Sequence, residues 1–215
     1  MKRRAEEPDR RARLIRESAR LFRERGYEGT SVRDIAAATG LQSGSWVYHF
    51  KTKQDILAAV MEEGLRHSLE RIETIGAEVI GPREKFQALV RAHLETILAP
   101  GQDFIPVLLY DWRSLEARAR PRVVALQKRY EAVWDRVITE LRESGDWTAP
   151  TRVDRLFMFG ALNWIAHWFR PRGRLAIAEL AQEAVRFFLR TPPRATRGSA
   201  ARRKRAPRPG PRRRV

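Results

Sequence analysis

The stretch TSVRDIAAATGLQSGSWVYHFKTKQDIL, Thr30 to Leu57, decides how this chain folds. Val32, Ile35 and Ala36 fall on one helical face, and Ser31 can cap that helix, with Thr30 just ahead of it. Gly40 interrupts the pattern where a helix C-cap needs left-handed backbone. A second short helix follows through Ser43, Gly44, Ser45, Trp46, Val47, Tyr48 and His49. Two short helices around a tight turn, with a capped third helix behind them, have helix-turn-helix spacing, in which the second helix enters the DNA major groove. Ser43, Gly44 and Ser45 are small enough for the helix backbone to approach a groove. Their hydroxyls and the Tyr48 phenol can hydrogen-bond base edges or phosphates. The helix starting near Ser31 offers free N–H groups to a phosphate, and Arg33 projects from it. Lys2, Arg3, Arg4, Arg10 and Arg11 read as a basic arm ahead of a first helix.

Outward from this stretch the pattern stays helical. Leu14, Ala19 and Phe22 predict a first helix over 8–25, ended by Gly26. Ile56, Val60, Met61, Leu65, Leu69 and Ile72 predict a long helix over 52–79, stopped by Gly81-Pro82. A helix carrying Phe86, Leu89, Val90, His93, Leu94 and Ile97 follows, broken at Pro100-Gly101. Further helices are expected over 104–119, from Pro121 to Gly145, over 151–169 and over 175–190. The reading is all-α with about nine helices. Its expected divisions are a DNA-binding helix-turn-helix domain of three helices at 1–51, a helical effector-binding and dimerisation domain at 52–190, and a basic tail at 191–215. The tail has no apolar periodicity and is expected to be disordered.

Charge fits this division. Of the formal net charge of +17, ten Arg or Lys residues with no acid lie from Thr191 to Val215, which leaves the body at +7. A mildly basic body suits a protein that touches DNA at one end. Zero cysteines exclude disulfides and thiolate metal sites. No apolar run reaches membrane-spanning length, and the charged MKRRAEEPDRRAR start lacks the apolar core of a secretory signal. A cytoplasmic protein with no membrane partner is expected. The four His residues lack metal-ligand spacing, and there is no phosphate loop or nucleophilic triad context. Neither enzyme activity, metal nor cofactor is therefore expected.

The residues from Ala12 to about Leu57 resemble the DNA-binding signature of the TetR family of bacterial one-component repressors; beyond them the likeness is one of layout. The resemblance implies roles position by position. Gly40-Leu41 holds the turn, and Gln42, Ser43, Gly44 and Ser45 start the recognition helix. Trp46 and Phe50 face inward, Tyr48 and His49 touch bases or phosphates, and Lys51 and Lys53 form the basic connector. Val47 stands where a Tyr is usual and Trp46 where a Leu is usual, and both bear on sequence preference. The resemblance also implies a homodimer on double-stranded DNA. A small molecule in the C-terminal helices would move the helix from Thr52 and so change the separation of the recognition helices.

For that effector the sequence suggests a place. The helix over 151–169 is apolar nearly all round, so one side can face the core and another a second subunit. Asn163 and His167 are its polar exceptions, with Phe159 one turn earlier, and a buried amide and imidazole need partners. Those partners are either a ligand or neighbouring side chains and water. FRPRG, Phe169 to Gly173, resembles a Trp/Tyr-Arg-Pro-Gly-Gly corner in TetR proteins that respond to acyl-coenzyme A thioesters, with Arg172 where a Gly usually lies. Arg170 and Arg172 could meet ligand phosphates, or the segment could be a surface turn. Tyr110, Trp112, Arg113, Tyr130 and Trp134 are expected to border the same cavity, although aromatics at helical spacing also serve as core. An architectural, nonspecific nucleic-acid binder driven by the tail is the competing reading, separated by salt slope and specificity ratio.

Overall fold

The computed structural model describes residues 2–40, 45–148 and 150–190. The tail from Thr191 and the recognition-helix residues Gln42, Ser43 and Gly44 lie outside them, as does the side chain of Ser45. Among the described residues there are eight α-helices, three short 3₁₀ segments and no strand. The helices are α1 (Lys2–Arg25), α2 (Val32–Thr39), α3 (Lys53–Glu78), α4 (Pro82–Leu98), α5 (Phe104–Asp111), α6 (Arg120–Glu143), α7 (Arg152–Trp164) and α8 (Ile177–Phe188). The ninth expected helix is represented by a 3₁₀ segment, Ser45–Tyr48.

Local signals explain most boundaries. Ser31 and Thr52 each close a capping box with the Asp three residues on, Asp34 and Asp55, so two orphan N–H groups are satisfied at each start. Thr151 and Asp154 do the same for α7. Gly40 ends α2 at φ 68°, in the left-handed region expected of it. α1 begins at Lys2 rather than at Pro8, so the basic residues expected to form an arm belong to the helix itself. Lys, Arg, Ala and Glu before Pro8 are good helix formers, and the helix runs through Pro8 although the proline has no N–H to donate to the carbonyl four residues back.

Tertiary contacts override the pattern in two places. The helix expected over 104–119 stops at Asp111 and continues only as a 3₁₀ turn, Trp112–Ser114. Here side chains from elsewhere take the polar groups. Gln54 Nε2 donates to Ser114 O at 2.7 Å, its Oε1 accepts the Glu116 N–H at 3.0 Å, and Leu115 turns into the core in extended conformation. The helix expected over 151–169 likewise tightens to a 3₁₀ turn at Ile165–His167.

α3, at 26 residues, is about 39 Å long and is the spine of the fold. It packs along α6, α5 and α4, while α4 also packs on α8 and α1 on α5. Gly64 permits the α3–α5 approach, because a Cβ there would stand 2.6 Å from Phe104 Cβ. Trp134, Phe86, Leu89, Met61 and Ile72 fill the core between these helices.

Candidate DNA interface and effector cavity

At the DNA end, α1, α2 and the 3₁₀ segment close on Leu14, Phe22, Ile35 and Phe50, all buried. Trp46 packs partly buried against this core, and the His49 and Phe50 N–H groups both donate to Trp46 O, so the inward positions are as expected. The opposite face is open. Tyr48 is 90% exposed, the most exposed aromatic among the described residues, and Lys51, three residues on, and Arg33 on α2 are exposed too. An aromatic phenol held out on a short rigid turn wastes apolar surface in water and is suited to a partner.

Two expected contact residues have other commitments. Lys53 Nζ donates to Tyr27 O at 2.7 Å and Thr30 O at 2.8 Å, and lies 3.9 Å from the centre of the Tyr27 ring. It therefore fastens the turn before α2 to the start of α3. Ser31 Oγ is spent on Asp34, donating to Oδ2 and accepting the Asp34 N–H at 3.2 Å. These hydrogen bonds from the Ser31 side chain and backbone hold the Asp34 carboxyl below its ordinary range.

At the other end, α3, α4, α5, α6 and α7 line a half-open cavity of about 390 Å³. Tyr130, Phe159 and Asn163 line it, as does Trp112. Trp134 lies behind them, fully buried, with its ring centre 5.2 Å from that of Phe159. The rest of the expected set is elsewhere. Tyr110 and His167 are exposed and pack on each other edge to face, with centres 5.6 Å apart, and His167 stacks on Trp164 at 4.1 Å. Arg113 and Arg170 are exposed and line neither this cavity nor the groove beside it. For Arg113, His167 and Arg170 the physical reason is the 3₁₀ tightening at Trp112–Ser114 and Ile165–His167, which turns the chain away from the continuous-helix direction, whereas Tyr110 lies on the exposed face of α5 itself.

Asn163 does not pair with His167. Its Oδ1 lies 3.0 Å from His93 Nε2, and His93 Nδ1 lies 2.9 Å from Tyr130 Oη. Because Oδ1 can only accept, Nε2 carries the imidazole proton and Nδ1 accepts from the phenol. Burial pushes the His93 pKa down to about 4, against a smaller opposing effect of Asn163, so the ring stays neutral at ordinary pH. Burial also raises the Tyr130 phenol, leaving it protonated as this arrangement requires. His93 is the residue the sequence reading missed. Its signal was a lone imidazole inside the otherwise apolar Phe86–Ile97 stripe, where a polar group must find a partner. Glu131 also lines the cavity, and buried Arg155 on α7 neutralises it, with Nη1 2.8 Å from Oε2.

The FRPRG corner borders a second, open groove of about 620 Å³. Its cations are Arg71, Arg91 and Arg174 rather than Arg170 and Arg172. Arg71 and Arg91 both hold Glu95. Burial opposes ionisation of that carboxyl, but the two arginines outweigh it and keep it below its usual range. The first residues of α8, Ala176 to Ala178, form part of the wall, so a helix N-terminus faces the groove. A small hollow of about 190 Å³ shares wall residues with both spaces, Ser68 and Ile105 with the inner cavity and Arg71 and Gln102 with the groove. Among the described residues no cluster of three or more His, Asp or Glu side chains could hold a metal. No described helix is long and apolar enough to cross a membrane.

Comparison with known proteins agrees with this geometry. Residues 14–60 match the model of bacterial regulatory proteins of the tetR family, and residues 80–191 match a tetracyclin repressor-like C-terminal domain. The HTH-type transcriptional repressor KstR2 of Mycobacterium tuberculosis is 28% identical over 185 residues, covering 84% of this chain and 91% of its own. The structure of AibR in complex with isovaleryl coenzyme A and operator DNA is 25% identical, with a TM-score of 0.77 over 84% of this chain and 98% of that one. The structure of the superantigen PfiT is 39% identical, with a TM-score of 0.74 over 85% and 97%. This chain belongs to the TetR family of helix-turn-helix transcriptional regulators.

Proposed function

We propose that the protein is a homodimeric transcriptional repressor that binds a palindromic operator and is released by an acyl-coenzyme A thioester. The observation that supports the effector class is that an aromatic-lined chamber and an arginine-lined groove lie close together, with a small hollow sharing wall residues with both. An acyl or ring moiety suits the chamber, and a polyanionic handle suits Arg71, Arg91, Arg174 and the start of α8. AibR, the relative crystallised with isovaleryl coenzyme A and operator DNA, supports the same class.

The route from chamber to DNA runs through α5. Leu108, Leu109 and Trp112 line the chamber, while Asp111 and Ser114 on the same segment hold Tyr27 and Gln54. A ligand that displaces this segment pulls on the turn before α2 and on the start of α3. To release DNA it must bind the DNA-incompetent arrangement more tightly, and a hundredfold preference corresponds to about 2.7 kcal/mol.

The dimer is proposed through α7 and α8. Phe157, Trp164 and Phe187 on these helices, and Trp168 just after the 3₁₀ turn that follows α7, are each more than half exposed. Such a face is covered most simply by its own two-fold copy, giving a four-helix contact.

The test is titration of the protein on a palindrome selected from random DNA. Octanoyl-coenzyme A should release the DNA and free coenzyme A should release it far less. Release by lipophilic cations alone would overturn the thioester reading and leave the repressor standing.

A further inference from the structure

The Tyr130–His93–Asn163 chain has a consequence for what the chamber recognises. Tyr130 and His93 are buried, and each hydrogen bond fixes the direction of the next. Asn163 presents Oδ1, which can only accept, so Nε2 donates to it, and Nδ1 is left to accept from the phenol. That leaves the amide nitrogen of Asn163, with both N–H groups, and no protein acceptor for it among the described residues. Asn163 is a partly exposed wall of the chamber. Of the other polar groups on that wall, Ser68 Oγ donates to Gly64 O, Gln127 Nε2 donates to Glu131, and Glu131 is held by Arg155.

We infer that Asn163 is the specificity-determining residue of the chamber, reading a carbonyl oxygen on an otherwise apolar ligand, with His93 and Tyr130 as the positioning residues that hold its donors toward the ligand. This rests on the chamber being an effector site, but not on coenzyme A being the handle. A donor held in one direction on a mostly apolar wall discriminates sharply, because it is left unpaired by a ligand without an acceptor. A hydrocarbon of the same shape, or a cation whose polar group can only donate, forfeits that bond.

The experiment uses the full-length protein and two matched probe pairs measured by calorimetry. The first pair is 4-phenylbutan-2-one and butylbenzene, which differ in the carbonyl. The second is octanoyl-coenzyme A and S-octyl-coenzyme A, the thioester and its thioether. In each pair the affinity ratio of carbonyl to reduced probe should fall about tenfold in Asn163→Leu, the worth of one buried hydrogen bond. His93→Leu should lower the ratio similarly, because it frees the amide to turn. His93→Gln should restore it, since a glutamine can accept from Tyr130 and donate to Asn163, whereas a merely structural role for the ring would not be rescued in this ratio. An unchanged ratio in Asn163→Leu, or no binding of either carbonyl probe to the wild type, overturns the inference. Discrimination in the ketone pair with no binding of either coenzyme A compound would sustain it while removing the thioester reading.

Discussion

The backbone N–H of Tyr27 donates to Asp111 Oδ1 at 3.2 Å, joining the turn before α2 to the end of α5 across 84 residues of sequence. Burial raises the Asp111 carboxyl above its ordinary value, and this hydrogen bond takes back part of the rise. Gln54 reinforces the joint by donating to Tyr27 Oη at 2.8 Å and to Ser114 O at 2.7 Å. The DNA end is therefore tied to the same segment that walls the inner cavity.

Gln54→Leu should test how much that joint contributes. It removes the partners of the Ser114 carbonyl, the Glu116 N–H and the Tyr27 hydroxyl. A loss of about 1–3 kcal/mol in urea unfolding is expected, since the Ser114 carbonyl and the Tyr27 hydroxyl are partly buried and left unpaired. A change of only a few tenths would show that water replaces the glutamine without cost.

Lys51 and Lys53 should separate cleanly. Lys51→Ala is expected to weaken all DNA sequences alike and to reduce the salt slope by about one, with stability unchanged. Lys53→Ala loses two hydrogen bonds to backbone carbonyls and should lower the melting temperature first. Tyr48→Ala should leave the melting temperature alone and cost operator binding about 1–3 kcal/mol. Normal operator affinity in Tyr48→Ala would mean that this exposed phenol faces no DNA.

The α7–α8 face gives a third expectation. Phe157→Glu or Trp164→Glu places a charge on a side chain that is 71% or 62% exposed in one chain, so folding of the protomer should survive. Sedimentation should then show monomers at micromolar concentration, against a dimer expected for the wild type. A dimer persisting in both variants would place the interface elsewhere.

His93 should leave a signature in the pH dependence of folding. Its folded pKa of about 4 lies below the unfolded value of about 6.5, so the unfolded chain binds the extra proton between these values. The sign follows: the contribution is fully present above about pH 6.5 and is lost as pH falls toward 4, amounting to about 3 kcal/mol. In His93→Gln the fall in unfolding free energy between pH 7 and pH 4.5 should be smaller by most of that amount. Equal pH profiles for the two proteins would show that the ring is not buried neutral.

Local chemistry made much of this protein legible in its sequence. Capping residues such as Ser31 and Thr52, the left-handed turn at Gly40 and the 3.6-residue stripes of α3, α4 and α6 are short-range signals, each written within a few residues of where it acts. They were enough for the all-α architecture and for the helix-turn-helix, while the inward places of Trp46 and Phe50 came from the family resemblance. Tertiary structure decided what depends on distant partners. Lys53 became a fastener because two carbonyls of the preceding turn lie within reach of its ammonium group. The helix after Phe104 ended early because Gln54, 60 residues back, satisfies the Ser114 carbonyl in place of the next helical turn. Asn163 found its partner in His93, 70 residues away, rather than in His167 one turn along, because the 3₁₀ turn at Ile165 swings His167 out to solvent. A buried polar group must be paired, but periodicity along one helix does not say which other helix supplies the pair.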